Sequence, residues 1–105
     1  MSLTVACGAC SSPILQLGLM PEISRFYGIV IKMYFGDHPP PHFHAEYAEH
    51  EAIYEIDTLD VARGELPRRA HALVVEWASL HRDELREDWE LARSEKPLQE
   101  IEGLE

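Results

Sequence analysis

Three consecutive prolines, Pro39-Pro40-Pro41, separate two stretches rich in β-branched and aromatic residues. Proline fixes φ and donates no hydrogen bond to a ladder, so neither a helix nor a central strand can run through this point. The chain on either side must form separate elements joined by an extended connector. Upstream, Gly28-Ile-Val-Ile-Lys-Met-Tyr-Phe35 alternates in part and is bounded by Gly28 and by Gly36-Asp37, which predicts a strand. Downstream, His42 to Ala48 predicts a second. A tight turn around Glu49-His50 leads to a third, Glu51 to Ile56, and so short a link permits only an antiparallel hairpin. A short fourth strand through Leu59 and Val61 would be ended by Gly64.

The periodicity then changes. Pro67 suits the first turn of a helix, and Ala70, Val74, Trp77, Ala78, His81, Leu85, Trp89 and Ala92 follow at spacings of three and four. Asp83-Glu84 favours a fresh helix start, where carboxylates meet the positive end of the dipole. The pattern therefore predicts two helices with a break near His81 to Asp83, ending at Lys96-Pro97 before an irregular tail. Strands first and helices after give an α+β domain: a small antiparallel sheet of three to four strands followed by two C-terminal helices packed on one face.

A chain of 105 residues supports one such domain. Residues 1–19 carry no charge and show neither period, so they read as a leader or upstream-start extension, with Met20-Pro21 as the natural start of a domain over 20–105. Within that leader Cys7 and Cys10 form a CxxC, but one pair supplies only two thiolates and no strand leads into it. The leader lacks the basic start and sustained apolar run of a secretory signal. No apolar run approaches the roughly 18 residues of a membrane span. The expectation is a cytoplasmic protein. Its 9 Lys and Arg against 19 Asp and Glu give a charge of −10, which repels a nucleic-acid backbone unless basic groups cluster.

The segment from Asp37 to Tyr47 holds three of the six histidines. On a strand, side chains two apart share a face, so His42, His44 and Glu46 point one way and Phe43, Ala45 and Tyr47 the other. Three readings follow. The polar face is simply solvated; or His42, His44 and Glu46 hold a divalent transition metal such as zinc, with His38 or Asp37 adding a ligand; or the two imidazoles act as acid and base without a cofactor. Arg68-Arg69 stand at the predicted helix start, where cations oppose the dipole. They either pair with Glu65 or another carboxylate, or form an anion pocket that Arg25 could join. Asp83 with Arg86 and Glu90 with Arg93 have the spacing of surface ion pairs, and Trp77 and Trp89 lie on the apolar stripe as core residues.

Met20-Pro-Glu-Ile-Ser-Arg-Phe-Tyr-Gly-Ile-Val-Ile-Lys-Met-Tyr34, Asp37-His38, Pro40-Pro41-His42-Phe43-His44, Tyr47, Leu66-Pro-Arg-Arg-Ala70, Trp77, Trp89-Glu-Leu-Ala92 and Lys96-Pro97 together resemble a family of small bacterial proteins, the domain of unknown function family forty-one-sixty. The resemblance runs from Met20 to about Leu104 and is loosest at Glu49-His-Glu51. It brings no biochemical activity. It implies a component of a two-gene, toxin–antitoxin-like module that binds a small partner protein encoded nearby. Joined to the residue chemistry, it leads to an expected phosphodiester-cleaving activity in which His42 and His44 share acid and base roles while Arg68 or Arg69 stabilises phosphate charge. RNA as substrate is disfavoured by the net charge. The alternatives are a noncatalytic, antitoxin-like interaction domain and a metal-binding protein, and an exposed sheet edge would favour a homodimer.

Overall fold

In the computed structural model, which describes residues 22–104, a two-residue turn at Tyr27-Gly28 starts the sheet. Both residues have positive φ, 51° and 81°, the backbone that lets so short a turn follow the right-handed twist of its strands. The turn joins β1 (Glu22–Phe26) to β2 (Ile29–Lys32), with Phe26 opposite Ile29. The chain then passes through Gly36 and the prolines into β3 (His42–Tyr47), turns at Ala48-Glu49 into β4 (His50–Glu55), and returns as β5 (Val61–Glu65). All neighbours are antiparallel, in the order β1-β2-β3-β4-β5.

The α+β architecture is as expected, but the sheet has five strands rather than three to four. Glu22-Ile-Ser-Arg-Phe26, which precedes the first strand expected from the sequence, is itself a strand. Its polar Ser24 and Arg25 hide the alternation, yet Ile23 and Phe26 are buried once β2 pairs with it. The first expected strand shrinks to Ile29–Lys32, because Gly28 belongs to the turn and the chain leaves the ladder at Met33.

Two helices follow, α1 (Arg68–Leu80) and α2 (Arg82–Arg93), and His81 separates them where a break was expected. The Trp77 ring of α1 lies 5.3 Å from Phe26 and 6.0 Å from Phe43, and Phe43 stacks on Tyr54 at 5.4 Å. These side chains are buried, and they fuse helix and sheet through one aromatic cluster. The Tyr54 hydroxyl meets His71 Nδ1 of α1 at 2.8 Å, and burial pushes that phenol up to about 12. At the other end, Arg82 Nε donates to the Ile56 carbonyl and Arg86 pairs with Asp57, tying α2 to the loop between β4 and β5. The expected pairs Asp83–Arg86 and Glu90–Arg93 are present at 3.5 and 3.6 Å. Both are exposed and contribute little.

The tail beyond α2 has no regular structure, as expected, but it is strapped down. The Ile101 amide donates to the Ile23 carbonyl of β1, Trp77 Nε1 donates to the Glu102 carbonyl at 2.8 Å, and the Gln99 amide donates to Asp88 Oδ1. Asp88 is 1% exposed and its Oδ2 has no hydrogen-bond partner. Burial, opposed by the Gln99 amide and reinforced by Glu87 and Glu84, pushes its carboxyl up to about 6. The leader, with Cys7 and Cys10, lies outside the described residues. Among the described residues no helix is long and apolar enough to cross a membrane.

Two outcomes are expected. Trp77→Ala lowers the unfolding free energy by about 3–5 kcal/mol in urea titration, whereas Leu80→Ala, at an exposed position, changes it by no more than about 0.5 kcal/mol. Asp88 binds its proton more tightly in the folded chain than in the unfolded one. The contribution of Asp88 to stability is therefore fullest below the ordinary carboxylate value of 3.8 and declines as pH rises through about 6. The total loss is on the order of 3 kcal/mol. Asp88→Asn, which keeps an acceptor for the Gln99 amide, should flatten that decline in denaturation curves taken across pH 4 to about 7; an unchanged slope would place the proton elsewhere.

Candidate functional site

β3 alternates as its sequence suggests. Phe43 and Ala45 are buried, and His42, His44 and Glu46 occupy the opposite face. The imidazoles are not freely solvated: His42 and His44 side chains are only 11% and 12% exposed. Trp89 of α2 lies 5.1 Å from the His42 ring, and Tyr34 meets the His44 ring edge-on at 4.4 Å. Burial pushes the Tyr34 phenol up, partly offset by Lys32.

The connector closes over this face. Asp37 Oδ2 stands 2.8 Å from His42 Nε2 and 3.5 Å from His44 Nε2, while its Oδ1 accepts from the His38 amide. Burial pushes the Asp37 carboxyl up, but contacts with His42, the His38 amide and His44 outweigh it and hold the group below its ordinary value. One ligand atom each from Asp37, His42 and His44 lies within 4.8 Å of the others, a spacing that suits one metal ion.

The remaining ring nitrogens fix which atoms have lone pairs to offer. His42 Nδ1 is 2.8 Å from the Pro40 carbonyl, which can only accept, so Nδ1 carries the proton. In the neutral ring Nε2 then has a lone pair, and it faces a carboxylate oxygen that also has lone pairs. A proton on Nε2, or a cation shared with Asp37, resolves the conflict. His44 repeats the arrangement: Nδ1 lies 3.3 Å from Glu51 Oε2, and Nε2 is a buried atom without a hydrogen-bond partner. Two rings, each held at Nδ1 by an acceptor and each turning Nε2 toward one carboxylate, form the arrangement that orients histidine ligands around a metal.

The other residues singled out from the sequence lie elsewhere. Glu46, expected to complete the trio with His42 and His44, is engaged by Lys32 Nζ at 3.1 Å, and Asp37 takes its place beside the imidazoles. β2 decides this, because its register sets Lys32 opposite His44, one diagonal step from Glu46. Arg68 and Arg69 do not join the histidines: Arg68 borders a depression with Val61 and His71, and Arg69 one with Tyr27 and Tyr47. Among the described residues neither pairs with a carboxylate. Arg25 is bound by Glu22 at 2.8 Å and joins neither. The arginine that borders the histidine cleft is Arg63 of β5, which sequence reasoning passed over. Its signal was Gly64, whose φ of 78° marks an irregular strand.

A family model described as "Domain of unknown function (DUF4160)" matches residues 28–90, the central part of the resemblance traced from Met20. No curated protein and no solved structure matches the chain. The matched span exceeds half of the 105 residues and includes Asp37, His42, His44 and Arg63, and the chain therefore belongs to the DUF4160 family.

Proposed function

We propose that this domain binds a divalent transition-metal ion through His42 Nε2, His44 Nε2 and the Asp37 carboxylate. The observation that carries the reading is the convergence of these three ligand atoms within 4.8 Å, one of them the buried, unpartnered Nε2 of His44. A proton on His42 would satisfy its contact with Asp37 but leave His44 Nε2 without a partner. One ion answers both. Two imidazoles and one carboxylate suit zinc, iron, cobalt or nickel, and three protein ligands leave positions for water or an added ligand.

A second reading keeps the residues and omits the ion. His42, oriented by Asp37 at 2.8 Å, and His44, with its ring centroid 5.5 Å from that of His42, form an acid–base pair for phosphodiester cleavage. The separation of Arg68 and Arg69 from this pair weighs against their expected part in it. The partner-binding role in a two-gene module, as toxin-like factor or as antitoxin-like neutraliser, draws its support from the family resemblance alone.

Titration of untagged full-length protein with cobalt(II), read by visible absorption and calorimetry, should give one ion per chain. The double change His42→Ala/His44→Ala, checked by circular dichroism for folding, should weaken binding by more than about 100-fold, and Glu51→Gln by about 10-fold. Asp37→Asn should weaken it while Glu46→Gln leaves it unchanged. Absence of stoichiometric uptake, or uptake indifferent to both histidines, would favour the metal-free pair.

A further inference from the structure

We infer that Arg63 makes the histidine cleft a binding site for a small phosphate-type anion, held between the Asp37/His42/His44 centre and the guanidinium; the inference rests on the metal reading. The sheet register supplies the geometry. His44 pairs with Ile53, and Ile53 pairs with Arg63, so these three lie abreast on one face across β3, β4 and β5. Two strand spacings, about 10 Å, separate the backbones of His44 and the exposed Arg63, and both residues line the same cleft. Ile53 forms an apolar floor between them.

The placement of Arg63 depends on an irregularity in β5. The register shifts between Ile53 and Tyr54, with Tyr54 opposite Val61, which leaves Ala62 as the extra residue of a bulge. A bulge re-aims side chains, and both Ala62 and Arg63 line the cleft with Asp37, His42 and His44. Gly64 completes the irregularity: a Cβ there would meet the Glu51 carbonyl oxygen at 2.2 Å. A bulge on an edge strand thus delivers an arginine to the cleft that holds the two oriented imidazoles.

The charges select the ligand class. Arg63 pairs with no carboxylate among the described residues, although Glu55 also lines the cleft. A guanidinium without a partner, lining the same cleft as residues that would hold a dication, suits a tetrahedral dianion with oxygens for both banks. Glu55, opposite His42, leaves the His44–Ile53–Arg63 row as the seat. The cleft holds about 460 Å³, and the chain carries a net charge of −10. The cleft has room for a small phosphate monoester, whereas the net charge repels the many phosphates of a polynucleotide far more than a single one that Arg63 can pair.

The test uses cobalt-loaded full-length protein and methyl phosphate, with acetate as the comparison anion. Cobalt affinity is measured first, so failure of the metal centre, which would overturn both readings, is separated from failure of the anion site. With cobalt bound, methyl phosphate should perturb the visible cobalt bands more tightly than acetate. Arg63→Ala should weaken methyl phosphate by about 10-fold or more with cobalt affinity unchanged, and Arg63→Lys should fall between. A wild-type spectrum indifferent to methyl phosphate, equal affinity in Arg63→Ala, or acetate binding as tightly as methyl phosphate would each overturn the inference.

Discussion

The pleat of β3 is the constraint on which both the core and the site depend. Phe43 must enter the aromatic cluster with Tyr54 and Trp77, and its burial forces His42 and His44 to the opposite face. A slip of one residue would bury two imidazoles among aromatic rings and expose Phe43. Hydrophobic packing on one side therefore sets the register of polar chemistry on the other. Because β3 is the central strand of five, neighbours on both sides reinforce that register.

The site is finished by segments that are themselves held from outside the sheet. Asp37 belongs to the connector, whose neighbouring Gly36 amide donates to the Ala92 carbonyl of α2, and Trp89 of the same helix packs beside His42. The helix is anchored in turn to the loop after β4 through Arg82 and Arg86, and to the tail through Asp88. The carboxylate above the imidazoles is thus positioned by the α2 framework, while the imidazoles are positioned by the sheet. Any motion of α2 relative to the sheet would alter the separation between Asp37 and the two Nε2 atoms.

Electrostatic placement is uneven in a way that total charge conceals. Most of the ion pairs are exposed, and they contribute solubility more than stability. The consequential charges are those withdrawn from water: Asp88 beneath the tail, and Asp37 between two histidines. Asp88 strains the fold when ionised because only one of its oxygens has a donor, the Gln99 amide. Asp37 is instead held as a carboxylate by the His38 amide and by its contacts with His42 and His44. One buried and one half-buried acid in one small domain behave oppositely because their local contacts differ.

The sharing of one face by His42 and His44, the proline break, the helix break at His81 and the α+β order were legible in the sequence, since each rests on a period of two or 3.6 or on a single backbone restriction. Strand β1 escaped because Ser24 and Arg25 interrupt its alternation, and its burial came from pairing with β2, from Trp77 of α1 and from the returning tail. The sequence offers Asp37 as an added ligand, but the loss of Glu46 to Lys32, and the exchange of Arg68 and Arg69 for Arg63, could not be read locally. Lys32 reaches Glu46 across fourteen positions of chain, and Arg63 comes abreast of His44 only through β4. The sequence by itself determined which side chains share a face of each element, because that follows from backbone geometry repeated over neighbouring residues. The tertiary structure alone decided which carboxylate and which arginine meet the imidazoles, because strand register, a one-residue bulge and the docking of α2 are set by packing between distant segments.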